Sequence, residues 1–127
     1  NTLSGGELRR VHIARVMLQI WPQIEKGRAL LLLDEPIQGL DYRHQHLLMR
    51  LLQSIAEKGN LVITSHHDLN LCYRYADQIV MMKESKLIAA GGVQEIMTPQ
   101  FLEDAFCCKI SSYADEHGNR LFQTYLD

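Results

Sequence analysis

The sequence predicts an α/β fold in which helices pack on a mostly parallel sheet. Short apolar runs of strand length, at residues 29–33 and Leu61–Thr64, alternate with longer segments of helical periodicity. Each run ends in polar residues, and sites in open α/β sheets lie at the carboxyl ends of the strands. The chain has 127 residues, 46% hydrophobic and 22% charged, which is typical of one folded domain.

The first elements can be read in order. A helix is predicted over residues 4–20, where Ser4 and Glu7 form a capping box and Pro22 ends the helix. Its apolar residues recur at spacings of three and four and form one stripe: Val11, Ala14, Leu18 and Trp21. The unbroken apolar run at residues 29–33 predicts a strand that is buried on both faces.

The remaining elements continue the alternation. A helix over residues 44–58 places its leucines and one isoleucine toward the core: Leu47, Leu48, Leu51, Leu52 and Ile55. After it the sequence predicts strand Leu61–Thr64, helix Leu69–Tyr75, strands 79–82 and 87–90 around a turn at Glu84 and Ser85, helices 94–97 and Pro99–Phe106, and a hairpin over 109–125 that turns at Gly118 and Asn119.

Composition excludes several classes of protein. A formal net charge of -2 gives no basic surface for nucleic acid or an anionic membrane. Three cysteines, two of them adjacent, fit neither a disulfide framework nor a zinc site and suit a reducing compartment. The longest apolar run is too short to cross a bilayer. Because the chain opens at Asn1 directly on a dense motif, we expect a segment of a longer protein.

The first motif, Leu3-Ser4-Gly5-Gly6-Glu7, lies at the start of a helix. Two glycines in the first turn leave free N–H groups that no side chain shields. With the helix dipole and the Ser4 hydroxyl, these groups form a site for a phosphate-like anion. The alternative is an ordinary capped helix whose glycines only allow the chain to turn tightly into the helix.

The second motif is a pair of adjacent carboxylates, Asp34 and Glu35, at the end of the first strand. Like charges at the edge of a core repel each other, so they require a cation or a function. Because successive side chains of an extended chain point to opposite sides, one carboxylate can hold Mg²⁺ while the other orients a water molecule. The alternative is a solvated loop that begins with two acids.

The third motif, Thr64-Ser65-His66-His67-Asp68, follows the second strand. A histidine there can donate a hydrogen bond to a phosphate. The alternatives are a helix cap at Asp68 and two surface histidines, and a metal site is weaker because no cysteine or third histidine is near in sequence.

These motifs, in this order, resemble those of the ATP-binding-cassette (ABC) ATPases over the whole chain. Leu3 to Glu7 resembles the signature motif, residues 30–34 the Walker B strand, and Gly39-Leu40-Asp41 the D-loop. Glu35 matches the catalytic glutamate. His67 matches the switch histidine because Asp68 and Leu69 follow it, whereas His66 stands where a small residue is usual. One departure is Arg9, where a glutamine often precedes the arginine.

The resemblance implies a fold and its division. Residues 1–127 would be the C-terminal part of a RecA-like P-loop NTPase domain, a three-layer structure whose parallel sheet is incomplete. Residues 1–21 would be the signature helix, 28–92 the core from Walker B to the switch histidine, and 93–127 the C-terminal helices and hairpin.

The resemblance also implies site residues and cofactors, ATP and Mg²⁺. Two such ATPases would meet head to tail, and the ATP of the partner subunit would be bound by signature and D-loop residues: Ser4, Gly5, Gly6, Glu7 and Asp41. Asp34 would hold Mg²⁺ through water, Glu35 would polarise the attacking water, and His67 would hold the γ-phosphate.

The transporter implied by the resemblance is a bacterial importer, and the chain most resembles ATPases that power cobalamin import. Iron-chelate or haem importers are the alternative. The implied partners are a second copy, integral membrane permease subunits and, indirectly, a periplasmic binding protein, with no nucleic acid. The subunit would be peripheral on the cytoplasmic face of the inner membrane.

Two other functions fit the sequence less well. One is a DNA-repair or chromosome-maintenance ATPase head, which is disfavoured because no heptads occur. The other is a vestigial regulatory domain, which is disfavoured because Glu35 and His67 are both present.

The sequence contains no G-x-x-x-x-G-K-[ST] phosphate loop. We therefore expect these 127 residues alone neither to bind ATP tightly nor to hydrolyse it. In the family, the strand of that loop lies beside the strand that ends in the switch histidine. Without it, the sheet should expose an apolar slot and unpaired backbone, so self-association or local rearrangement is expected.

Overall fold

Six helices and six strands form residues 2–126, the part of the chain that this computed structural model describes. Their order is α1 (Gly5–Gln19), α2 (Trp21–Glu25), β1 (Leu30–Leu33), α3 (Tyr42–Glu57), β2 (Leu61–Thr64), α4 (Leu69–Tyr75), β3 (Gln78–Lys83), β4 (Lys86–Gly92), α5 (Val93–Ile96), α6 (Pro99–Phe106), β5 (Lys109–Ala114) and β6 (Arg120–Tyr125). The chain forms two compact units, one ending at His67 and the other beginning at Asp68.

The first unit contains a parallel pair of strands. Strands β1 and β2 pair in parallel with Leu31 opposite Val62, as the alternation of strand and helix predicts. Helix α3 packs against β2, and Leu31 is only 2% exposed. Within the described residues, however, these two strands are the whole of this sheet.

The prediction that β1 is buried on both faces is wrong for this structure. Four side chains on the other face of the β1–β2 sheet are largely exposed: Leu30, Leu32, Leu61 and Ile63. They alternate with the inward residues because successive strand side chains point to opposite faces. Since no element described in the first unit covers that face, its apolar residues face solvent, as expected for an incomplete sheet.

The apolar stripe predicted for α1 is also not core. Val11 and Leu18 are exposed, and Met17 is the buried residue of α1. Side chains of α1, α2 and α3 instead line an open apolar groove of about 420 Å³, which includes Ala14, Leu18, Trp21, Leu47 and Leu51. The prediction thus identified an apolar surface correctly but not whether other residues cover it.

Helix boundaries differ from the prediction where caps decide them. Helix α3 begins at Tyr42 rather than at residue 44, because the Asp41 side chain accepts a hydrogen bond from the backbone N–H of His44. Pro22 lies in the first turn of the short helix α2, where its missing N–H costs little. It therefore begins a helix rather than only ending α1.

Asn60 joins three elements of the first unit. It is 7% exposed, and its Oδ1 accepts a hydrogen bond from the Ala29 backbone N–H over 2.8 Å. Its Nδ2 donates to the carbonyl oxygens of Ile24 at 3.0 Å and Ile55 at 2.9 Å. One buried amide thus fixes the start of β1 relative to the ends of α2 and α3.

The second unit contains two antiparallel hairpins, β3–β4 and β5–β6, with α5 and α6 between them in sequence. The predicted turn at Glu84 and Ser85 is confirmed, and both residues adopt the left-handed conformation that tight hairpins require. Apolar residues from the strands, from α5 and its C-cap, and from α6 form its core: Met81, Ile96, Met97, Leu102, Ile110 and Phe122. Among residues 2–126, no helix is both long enough and apolar enough for a membrane span.

Candidate functional site

The candidate site lies in the first unit, at the start of α1 and at the carboxyl ends of β1 and β2. At the start of α1, the predicted capping box is present. The Glu7 backbone N–H donates to Ser4 Oγ at 3.3 Å, and the Ser4 N–H donates to Glu7 Oε2 at 2.8 Å. Hydrogen bonds from Ser4 to the Glu7 carboxylate, chiefly the one from its backbone N–H, lower the pKa of Glu7. The pair is exposed and fixes the first turn of the helix.

The two glycines of the signature motif have different surroundings. A Cβ atom at Gly5 would meet nothing within 4 Å, so the backbone there is open to an approaching ligand. A Cβ atom at Gly6 would lie 2.8 Å from the carbonyl oxygen of Gly39 in the D-loop. Gly6 therefore allows the start of α1 to contact the backbone of the D-loop closely.

The two carboxylates at the end of β1 are linked to the end of β2 by Ser65. The Ser65 hydroxyl donates a short hydrogen bond to Asp34 Oδ1 and accepts one from the Glu35 backbone N–H at 2.8 Å. Because β1 and β2 are parallel, their carboxyl ends meet at the same edge of the sheet. Ser65 fixes the backbone around both acids, a role that the sequence alone did not predict.

The two histidines after β2 have different partners. His67 Nδ1 lies 3.3 Å from Glu35 Oε1, and its side chain is 75% exposed. His66 is half-buried and its Nε2 lies 2.8 Å from Thr64 Oγ1. Of the two, His67 is thus the one placed beside the predicted catalytic carboxylate and open to a ligand.

Glu35 has an unusual backbone conformation and an unexpected partner. Its φ of 42° lies in the left-handed region, which is strained for a residue with a Cβ atom. Arg9 Nη2 donates to the carbonyl oxygens of Asp34 at 2.9 Å and Glu35 at 2.8 Å. In the sequence alone, Arg9 is only a departure from the signature pattern.

Asp41 points to its own helix. Besides capping α3, its carboxylate lies 2.8 Å from Nδ1 of His44. Hydrogen bonds from His44 lower the pKa of Asp41, and the bond from the His44 backbone N–H has the largest effect. Nε2 of the same histidine contacts Arg10 Nη1 of α1. Since a guanidinium group can only donate, this Nε2 accepts and the ring proton is on Nδ1, facing Asp41.

Hydrogen bonds thus join three of the predicted residues, Asp34, Glu35 and His67, into one cluster. The others make separate contacts: Ser4 with Glu7, Gly6 beside Gly39, and Asp41 with His44. Ser65 could have been found from sequence, because a hydroxyl directly after a strand reaches the neighbouring strand end. Nothing in the sequence shows that Arg9 reaches the carbonyl groups 25 and 26 positions away.

The carboxylates suit a cation that takes most of its ligands from elsewhere. Residues 2–126 contain no group of three or more His, Cys, Asp or Glu side chains arranged to hold a metal ion. Asp34 is exposed, and its bonded partner is a hydroxyl group. Mg²⁺ commonly uses one or two carboxylates and completes its shell with water and phosphate oxygens. The donor set fits such a partial site.

Comparison with known proteins agrees with the motifs. The chain is 40% identical over 125 residues to the vitamin B12 import ATP-binding protein of Vibrio atlanticus, covering 98% of this chain and 48% of that protein. It is 43% identical over 105 residues to the hemin import ATP-binding protein of Gloeobacter violaceus, covering 83% and 38% respectively. No protein-family model matches the chain.

Solved structures agree on the fold. An ABC transporter in an inward-facing conformation, assigned to the metal-chelate type, superposes with a TM-score of 0.76 at 22% identity, over 97% of this chain and 47% of that one. The cbiO1 protein of Clostridium perfringens, part of an ABC transporter complex, has a TM-score of 0.59 at 31% identity, over 80% and 38%.

These likenesses define the fold as part of an ABC ATPase domain. The chain belongs to the family of ABC-transporter ATP-binding subunits. It spans about half the length of the curated relatives that it matches.

Proposed function

We propose that this segment supplies the signature, Walker B, D-loop and switch elements of an ATP-hydrolysing subunit that drives an ABC importer. The observation that carries the proposal is the cluster of Asp34, Glu35 and His67 at the carboxyl ends of two parallel strands. Catalysis of phosphoryl transfer depends mostly on positioning and on charge stabilisation, and this cluster offers both.

Each residue has a proposed role. Glu35 orients and polarises the attacking water through its carboxylate, and His67 beside it donates a hydrogen bond to the γ-phosphate. Asp34 holds Mg²⁺ through water, and the ion would neutralise charge on the phosphates. Ser4, Gly5, Gly6 and Glu7, with Asp41, bind the ATP held by a second copy of the subunit. The unshielded Gly5 is consistent with a backbone anion site at the start of α1.

We propose vitamin B12 as the cargo and hemin or an iron chelate as the alternative. The relatives named for vitamin B12 and for hemin match this chain at 40% and 43% identity, so similarity favours neither cargo. The proposed partners are a second copy of the subunit, membrane permease subunits and, indirectly, a periplasmic binding protein. Membrane vesicles with the intact transporter, given labelled cobalamin or hemin, would distinguish the cargoes by ATP-dependent uptake.

The test of the activity uses the intact subunit that contains this segment. We expect the wild type to hydrolyse ATP, and Glu35→Gln to lose turnover while binding ATP as a stable dimer, because the amide cannot accept a proton from water. ATPase rates and size-exclusion chromatography with ATP measure both properties. Normal turnover by Glu35→Gln would exclude Glu35 as the catalytic base.

The 127-residue chain by itself provides a matched control, since it contains no phosphate loop. It is expected to show no tight ATP binding and no turnover. The exposed apolar face of β1 and β2 supports the expectation that it self-associates. Measurable hydrolysis by this chain alone, or a monodisperse monomer, would contradict these expectations.

A further inference from the structure

Arg9 is the side chain of α1 that reaches the backbone of the predicted catalytic residues. Its Nη2 donates to two consecutive carbonyl groups, those of Asp34 and Glu35. The side chain is half-buried, and its buried Nε makes no hydrogen bond within the described residues. The guanidinium group is therefore inserted against the end of β1 rather than extended into solvent. Hydrogen bonds from a charged donor to carbonyl groups are among the stronger ones in proteins.

The backbone that Arg9 contacts requires support. Glu35 has a left-handed φ of 42°, and such a conformation persists in a residue with a Cβ atom only when its surroundings hold it. Two hydrogen bonds hold it, one at its N–H and one at its carbonyl oxygen. Ser65 Oγ accepts from the Glu35 N–H at 2.8 Å, and Arg9 donates to the Glu35 carbonyl at 2.8 Å. The direction of the Glu35 side chain depends on this backbone conformation.

We propose that Arg9 is a positioning residue for hydrolysis, which fixes the Glu35 carboxylate and couples it to the signature helix. The proposal rests on the proposed function, in which α1 meets the nucleotide of the partner subunit. A shift of α1 on closure of the dimer would then move the backbone of Asp34 and Glu35 through one guanidinium group. In this proposal Arg9 acts through the Glu35 backbone rather than on the nucleotide or the attacking water.

Arg15 provides a matched control on the same helix. It is exposed, carries the same charge, and has the same helix propensity as Arg9. Arg15→Ala therefore removes an identical side chain from α1 without removing the bonds to the Walker B backbone. A difference between the two alanine variants reports the contact of Arg9 rather than the loss of a charge.

The experiment measures kcat and KM for ATP, thermal midpoints and ATP-dependent dimerisation of the intact subunit. Arg9→Ala is expected to lower kcat at least about tenfold, as is typical for loss of catalytic positioning, with KM for ATP changed less than about twofold and with dimerisation retained. Arg9→Lys should recover part of kcat because an ammonium group can still donate to a carbonyl oxygen. Arg15→Ala should match the wild type.

Three results would overturn the inference. The first is an Arg9→Ala kcat equal to that of Arg15→Ala while the wild type is active and Glu35→Gln is not, which leaves the proposed function standing. The second is an Arg9→Ala variant with a lower thermal midpoint, a raised KM and a lower kcat, none of which Arg9→Lys recovers. That result indicates a purely structural role. The third is a wild type without turnover, which removes the proposed function and this inference with it.

Discussion

Replacing Gly6 by alanine tests how closely the signature helix approaches the D-loop. The added Cβ would lie 2.8 Å from the carbonyl oxygen of Gly39, which is closer than such atoms approach in real structures. The neighbouring oxygen belongs to the backbone, so it cannot rotate away as a side chain could. Either the first turn of α1 or the D-loop must shift by several tenths of an ångström.

The expected cost follows from the two opposing effects. Overpacking of a tight contact destabilises by about 1–3 kcal/mol. Alanine is favoured over glycine in a helix by up to about 1 kcal/mol, and less in the first turn. The net destabilisation should therefore be about 1–2 kcal/mol, which corresponds to a thermal midpoint lower by about 2–8 °C in a domain of ordinary size.

Gly5→Ala is the matched control, because its Cβ would meet nothing within 4 Å. Its thermal midpoint should equal or slightly exceed that of the wild type, when the intact subunits are compared by calorimetry. Its ATPase rate should nevertheless fall if the open backbone at Gly5 receives a phosphate group. Equal midpoints for the Gly6 and Gly5 variants would refute the close contact on which this reasoning depends.

Two further predictions concern stability. Asn60→Ala should lower the free energy of unfolding by about 2–3 kcal/mol, because one buried N–H and two carbonyl groups lose their partner; a change below about 0.5 kcal/mol in urea titrations would contradict the role of Asn60. Hydrogen bonds from His44 lower the pKa of Asp41. Its carboxylate therefore stabilises the folded state at neutral pH, and this contribution is lost as pH falls through the lowered pKa. Asp41→Asn should show a smaller loss of thermal midpoint on acidification than the wild type, whereas an unchanged pH dependence would contradict the contact.

Local sequence was sufficient for most elements. Helix α4 and strand β2 have the predicted bounds, because a cap at Asp68 and a short apolar run depend only on neighbouring residues. The turn at Glu84 and Ser85 followed for the same reason. The order of the motifs also led to the ABC family, which the comparisons then established.

The burial of individual side chains could not be predicted from local sequence. Periodicity shows that Leu32 and Leu18 belong to apolar faces, but not whether another element covers those faces. Both are largely exposed in this structure, at 75% and 71%. The number of strands in a sheet and the neighbours of a helix are set by long-range packing, and a pattern within one segment contains no information about them.

The sequence by itself determined which residue types lie at the strand ends: two carboxylates after β1, and a hydroxyl and two histidines after β2. Only the tertiary structure decided which of them meet. It placed His67 rather than His66 beside Glu35, inserted Ser65 between the two strand ends, and brought Arg9 to the Walker B backbone. The physical reason is that chain neighbours fix local conformation, whereas contacts between residues 25 or more positions apart depend on how the elements pack.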